Sequence, residues 1–322
     1  MPELPEVQTT VDGLARAVRG LRIVDVWTSY ESRDRRFAGT IKDPAYFRSF
    51  RKSVVGARIL RVDRIAKNIL LRIERGDESV ILIHMKMTGH IMVGRYRFDA
   101  RAPVDPWFPA PGERPSLSDP YNRFIRFVLS LSDGRQLVLS DVRKFAKVAL
   151  IPAGELDRTM HLAGIGPDPL AKGFYAAAFQ ARLSRRPNGR IKTVLMDQSV
   201  LAGIGNIYSD EALWRAGLHP EERVRDIPDA RMKKLFATVR SVLSEGIDFG
   251  GDSMSDYRNV LGERGRFQGR HRAYRKTGER CSKPGCRGII TRKVVGGRSA
   301  HFCSEHQRLS VEHAVQEHAR RH

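Results

Sequence analysis

The chain has 322 residues, 41% of them hydrophobic, a length and composition that suit two globular domains and exclude a disordered protein. Lys and Arg number 57 against 36 Asp and Glu, and the resulting charge of +21 points to a polyanionic partner, with nucleic acid first. An anionic membrane surface is the competing partner, but no polybasic amphipathic helix, lipidation motif, apolar leader or run near ~18 apolar residues serves it, so no membrane association is expected and the compartment expected is the cytosol.

The chain opens MPELPEV. Two prolines and two carboxylates in six residues fit a helix start, where Pro suits the first turn and acidic groups oppose the dipole; they also fit chemistry at the chain terminus. Val7, Val11, Leu14, Ala15 and Val18 recur at helical spacing, which predicts an amphipathic helix over 3–19. Short β-branched runs follow at 21–26, 57–62, 69–73, 80–87, 124–131 and 136–139, with Asp133-Gly134 as a hairpin turn. Residues 1–152 are therefore expected to form an antiparallel β domain with a leading helix. The proline-rich stretch 98–121 reads as an inserted surface loop.

From residue 174 the pattern turns helical, at 174–183, 191–198, 209–217 and 229–246, so 153–249 is expected to be a helical domain. A Gly- and Arg-rich segment over 250–278 leads to a cysteine segment at 279–308. The tail over 309–322 reads as a short helix or a solvated extension.

All three cysteines lie within 23 residues, spaced Cys281-x4-Cys286-x16-Cys303-x2-His306. Thiolates and imidazole in two pairs about twenty residues apart suit a structural zinc ion on a β-hairpin, and clustering in a reducing compartment argues for metal over disulfide. His301 is the rival fourth ligand. Separately, Gly203-Ile204-Gly205-Asn206 falls between two helical runs. It reads either as a plain tight turn or as a phosphate-approaching helix start, with Lys192 shortly before it.

The opening MPELPEV, the stretch IKTVLMDQSVLAGIGNIYSDEALWRAGLHP and the cysteine hairpin, in that order, resemble the bacterial formamidopyrimidine-DNA glycosylase family. The resemblance implies an α+β fold of several domains: an N-terminal antiparallel β-sandwich with a leading helix, then a helix-two-turns-helix domain with a zinc hairpin. It implies a monomeric bacterial DNA glycosylase/AP lyase of base excision repair that binds damaged double-stranded DNA in a cleft between its domains and excises oxidised purines. Pro2 would be the nucleophile. Once Met1 is removed its nitrogen is a secondary amine able to form a Schiff base. Glu3 would act as acid beside it, Glu6 would manage protons or position the site, Lys67 would approach the lesion, and Arg298 would grip phosphate and assist elimination. Met87, Arg143 and Phe145 would fill the stack vacated by the flipped nucleotide, and Lys192 and Asn206 would hold phosphate. The 250–272 loop would read the flipped base, with Ser253, Met254 and Tyr257 as candidates.

The chain departs from the family pattern in three places. Its first cysteine pair has four intervening residues, with His306 as the last ligand. The 98–121 loop is long. Phe124 stands near the family's DNA-contacting histidine, leaving Arg123 or Arg126 to substitute. An endonuclease VIII-type enzyme for oxidised pyrimidines and a catalytically silent DNA-binding protein of the same fold are the alternatives.

Overall fold

Helix α1 (Leu4–Val18) begins at the prolines and carboxylates of the opening motif. Glu3 is its N-cap in extended conformation, and the Glu6 side chain reaches back to accept the Glu3 N–H at 2.7 Å, satisfying a donor that the helix leaves open. The structure, a computed structural model, describes every residue except Arg33, Arg35, Arg36, Pro103, Ser255 and 310–322. The expectation for the tail beyond Leu309 therefore lies outside the described residues.

The first compact unit comprises Met1–Ala163 and Ile247–Gln268. Strands β1 (Ile23–Thr28), β2 (Arg58–Ile65), β3 (Asn68–Arg75), β4 (Asp77–His84), β5 (His90–Gly94), β8 (Ile125–Leu131), β9 (Gln136–Ser140) and β10 (Lys147–Pro152) build two four-stranded antiparallel sheets, ordered β1-β8-β9-β5 and β10-β4-β3-β2. One face of each sheet meets in a shared core: Ile69, Leu71 and Ile73 from β3 pack with Phe127 and Leu129 from β8 and with Leu14 and Val18 of α1. Alternate residues face the other way. Leu70, Val80 and Leu82 form a satellite cluster, and Met92, Val128 and Val138 another, as period-two strands require.

Strand β4 ends at His84 where 80–87 was expected. Lys86 enters the left-handed region at φ 57°, which turns the chain and leaves Met87 in a bend. Helix α2 (Pro44–Val54), capped by the Asp43 carboxylate, lies in a stretch without an assigned element in the sequence reading, as do β5 and β10. The 98–121 stretch is more than loop: a small hairpin of β6 (Tyr96–Phe98) and β7 (Trp107–Pro109) leads to 3-10 turns at Pro115–Ser118 and Pro120–Asn122. Trp27, Phe98 and Trp107 meet edge to face, and Leu117 joins the satellite cluster around Met92.

The second unit comprises Gly164–Gly246 and the chain from Gly269 on. It holds α3 (Ala176–Leu183), α4 (Ile191–Met196), α5 (Asn206–Ala216) and most of α6 (Asp229–Asp248), then the hairpin of β11 (Ile290–Val295) and β12 (Arg298–Cys303). Gln198 organises the α4–α5 turn: its amide donates to the Met196 and Ile204 carbonyls, and its oxygen accepts the Gly203 N–H. Gly203 at φ 86° makes that turn possible. Gly296 and Gly297, at φ 56° and 75°, close the β11–β12 hairpin, and a Cβ on Gly296 would lie 2.3 Å from the Thr193 side chain. Among the described residues no helix is long and apolar enough to cross a membrane.

Candidate functional site

Pro2, Glu3 and Glu6 are all buried at the head of α1. Glu6 holds two backbone donors, with one oxygen on the Glu3 N–H and the other on the Asp252 N–H, both at 2.7 Å. Its own carbonyl accepts the hydroxyls of Thr10 at 2.8 Å and Tyr257 at 3.0 Å. Burial pushes the Tyr257 phenol well above its ordinary range, so it stays a donor. Glu6 thus fastens the start of the helix to the 252–257 segment. Gly251, at φ 83°, is needed there: a Cβ would lie 2.9 Å from the Glu6 Cγ.

Lys67 sits in the two-residue turn between β2 and β3, buried to 8% exposure. Ala66 before it takes φ 54°, a strained value for a residue with a Cβ. Arg64 ties this hairpin to α1 by donating to the Gln8 side chain at 2.6 Å and to the Ala66 carbonyl at 3.1 Å. Burial, then Lys86, Lys67 and Lys147 around it, lowers the His84 imidazole to about 3, so this cationic neighbourhood keeps it neutral.

Met87, Arg143 and Phe145 come from two different turns and meet. The Arg143 guanidinium lies 4.5 Å over the Phe145 ring and 3.2 Å from the Met87 sulfur, while Met87 and Phe145 remain 39% and 45% exposed. The buried Asp141 carboxylate fixes both turns. It accepts Thr88 Oγ1 at 2.6 Å, Tyr30 Oη at 2.9 Å and the Ala146 N–H at 2.8 Å. Thr88 in turn accepts the Arg143 N–H, and the Lys42 ammonium donates to the carbonyl of Lys144, a residue at φ 55°. Sequence reasoning missed Thr88, Asp141 and Lys42; Thr88 and Asp141 stand beside Met87 and Arg143 in the chain, which could have pointed to them, and Lys42 carried no such signal.

In the second unit Asn206 opens α5, and its side-chain oxygen has no hydrogen-bond partner among the described residues. Lys192 departs from the expectation of a phosphate-gripping lysine. It is wholly buried, and its ammonium is occupied by Asp210 Oδ1 at 2.6 Å and Ser209 Oγ at 3.2 Å. The other Asp210 oxygen accepts the N–H of His301 at 3.0 Å and its Nδ1 at 2.9 Å, so the buried pair joins α4, α5 and β12. Arg298 is exposed beside the hairpin turn and forms no ion pair among the described residues. Arg190 and Lys293 both engage Glu221.

Cys281, Cys286, Cys303 and His306 bring one ligand atom each to within 4.8 Å of one another. Cys286 Sγ lies 3.5 Å from Cys303 Sγ and 3.7 Å from His306 Nδ1, and Cys281 Sγ lies 3.5 Å from that nitrogen. A tetrahedral site with metal–sulfur bonds of about 2.3 Å needs ligand separations of roughly 3.8 Å, so the four fit one ion. The His306 Nε2 meets the Trp214 carbonyl at 3.1 Å, which turns Nδ1 toward the sulfurs. His301, the rival ligand, is instead occupied by Asp210. The Gly288 N–H lowers the Cys286 thiol, while burial pushes Cys303 up to about 11, an uneven pair that a cation would level.

Of the three residues proposed to read a base, Ser253 and Tyr257 are interior, and only Met254, at 39% exposure, reaches the surface. Arg126 is likewise unavailable as a surface substitute: it is buried and paired with Asp105 at 3.0 Å, whereas Arg123 is exposed over the Phe124 ring.

Two family models match the chain: the formamidopyrimidine-DNA glycosylase N-terminal domain over 1–148 and the formamidopyrimidine-DNA glycosylase H2TH domain over 165–258. The formamidopyrimidine-DNA glycosylase of Caulobacter vibrioides (strain NA1000 / CB15N) is 37% identical over 94% of this chain and 98% of its own length. That of Bacillus subtilis (strain 168) is 34% identical over 95% and 99%. Among solved structures, the Lactococcus lactis Fpg bound to DNA containing an abasic site aligns with a TM-score of 0.77 at 28% identity, covering 95% of this chain and 99% of that one. The same enzyme with DNA containing Fapy-dG aligns at 0.76 and 29%, covering 95% and 100%. The chain belongs to the formamidopyrimidine-DNA glycosylase family, whose members are DNA glycosylase/AP lyases.

Proposed function

We propose that the protein excises oxidised purines, 8-oxoguanine and formamidopyrimidines, from duplex DNA in the bacterial cytosol and then cuts the strand. The observation that carries this reading is the preassembled Met87–Arg143–Phe145 cluster in the same unit as the Pro2–Glu3 helix start. Two apolar side chains held at the surface around a guanidinium suit the gap left by a flipped nucleotide, because the wedges replace stacking and the guanidinium pairs with the orphaned base. The relatives' names and the Fapy-dG complex support the purine branch.

With Met1 removed, the Pro2 nitrogen attacks C1′ and loses its proton. The base leaves with the bonding pair, and Glu3 protonates the ring oxygen so that the sugar opens to an iminium. Loss of a C2′ proton expels the 3′ phosphate, and a second elimination expels the 5′ phosphate; Lys67 and Arg298 assist. Glu6 acts here by position, since its oxygens hold backbone donors. Lys192 and Asp210 set the α5 start so that Asn206 meets phosphate. Zinc is the ion we assign to the Cys3His cluster, for which its tetrahedral preference and affinity for thiolate suit it; bound there, it braces the hairpin that carries Arg298.

Borohydride trapping on duplexes carrying 8-oxoguanine opposite cytosine or thymine glycol tests the proposal. The expected result is a covalent adduct with the purine lesion that disappears in Pro2→Gly. Preference for thymine glycol would move the enzyme to the endonuclease VIII type, and no adduct with any lesion would leave a silent DNA-binding protein.

A further inference from the structure

The segment 252–262 is anchored within the first unit from several sides, and Ser253 is tied to the following chain by Arg264, Gly265 and Gln268. On one side Asp252 and Tyr257 are bound to Glu6, at the head of α1. On the other side, beside the Val93 N–H on the Val260 carbonyl at 2.9 Å, the side-chain anchors of 258–262 come from the end of the 98–121 stretch and the residue that follows it. Arg258, only 2% exposed, donates from Nε and Nη2 to both oxygens of Asp119 at 3.1–3.2 Å, and its guanidinium lies 4.8 Å over the Tyr121 ring. Ser116 Oγ donates to the Leu261 carbonyl at 2.6 Å. The buried Asn122 amide bridges the Ser116 carbonyl at 2.8 Å and the Gly262 carbonyl at 3.2 Å, while its oxygen meets His90 Nε2 at 2.9 Å.

The fit is close: a Cβ on Gly262, which has φ 78°, would lie 2.8 Å from the Ser116 carbonyl oxygen and 2.9 Å from the Asn122 amide. A guanidinium this buried is tolerated only with a hydrogen-bonded counter-charge, so Asp119 fixes where Arg258 lies. Met254, two residues after Asp252, is the exposed member of the expected base readers. Anchoring Asp252, Tyr257 and Arg258 limits where the exposed Met254 can lie, which is what reading a flipped base requires.

We propose that the 98–121 insertion is a specificity-positioning element for the 252–258 segment, with Asp119 as its key residue acting through Arg258. The inference rests on the reading that this segment contacts the flipped base. A base lesion must be recognised before its glycosidic bond breaks, whereas a preformed abasic site has no base to read. Loosening the segment should therefore separate the two substrates.

The test uses the full-length protein and single-turnover cleavage of duplexes containing 8-oxoguanine or a preformed abasic site. Asp119→Ala is expected to slow 8-oxoguanine excision about tenfold or more and to leave abasic-site cleavage within about twofold. Arg258→Ala added to it should lower the ratio no further, because both act on one path. Ser116→Ala, which removes a hydroxyl bond and no charge, keeps the test open if Asp119→Ala does not fold, and should move the ratio in the same direction. An unchanged ratio, or equal losses on both substrates with a lower Tm, overturns the inference. A wild-type protein that cuts abasic sites but excises no damaged base would instead overturn the functional reading beneath it.

Discussion

Glu6→Gln separates a proton-transfer role from a positioning role. The carboxylate has one oxygen on the Glu3 N–H and the other on the Asp252 N–H, each at 2.7 Å and buried. An amide of the same shape keeps one acceptor and turns its NH2 toward the second donor, so one charge-assisted bond is lost and a buried N–H is left unpaired. Together these cost about 3 kcal/mol. At 1.4 kcal/mol per tenfold, that lowers the equilibrium constant for holding Pro2 and Glu3 in place roughly 100-fold if helix head and 252–257 segment separate as a unit. Single-turnover trapping by borohydride should fall by up to this factor, equally at every pH, with the shape of the pH–rate profile unchanged and a lower Tm. Loss of a limb of the profile at wild-type Tm would show Glu6 moving protons, and wild-type rate and Tm together would refute the energetic argument.

Lys192→Met should destabilise the protein by about 3–5 kcal/mol, because Asp210 would remain buried without its cation, while the slope of log binding constant against log salt stays unchanged. Arg298→Ala, in contrast, should reduce that slope by about one with no loss in Tm, since its exposed guanidinium is free to meet phosphate. Chelation should melt the β11–β12 hairpin, read as lost protection of its amides in hydrogen exchange, and zinc should restore it; an unaffected hairpin would mean that the Cys3His cluster does not need metal to fold. Acid should destabilise the fold as pH falls from 6.5 to about 4. Burial holds the His90 imidazole at about 4 with Asn122, Arg258 and Asp119 near it, so the unfolded chain binds a proton that the native one refuses, worth roughly 3 kcal/mol once complete. His84, at about 3, extends the loss further, and His90→Gln should flatten the upper part of the limb in urea titrations across pH.

Elements whose signals are local were legible in the sequence. The α1 register follows from Val7, Val11, Leu14 and Val18 at helical spacing, the β8–β9 turn from Asp133-Gly134, and the zinc-type hairpin from ligand pairs flanking Gly296-Gly297. Even α2 has a local signal, Asp43 as cap and Pro44 in the first turn, ahead of a short run that mixes aromatic and basic residues. Each of these depends on torsion preferences, caps or periodicity within one stretch of chain, and sequence by itself determined them together with the identities of the residues able to do chemistry.

Tertiary structure alone decided how those residues are used. Lys192 looked like a phosphate ligand beside a glycine turn, yet it is buried against Asp210, whose other oxygen takes His301 from ninety-one positions away. Ser253 and Tyr257 looked like base readers and are interior, whereas Asp119, in a stretch that read as mere surface loop, pairs with Arg258 across 139 positions. A charge finds its buried partner through the packing of distant segments, and neither its desolvation nor its counter-ion is written in the residues beside it.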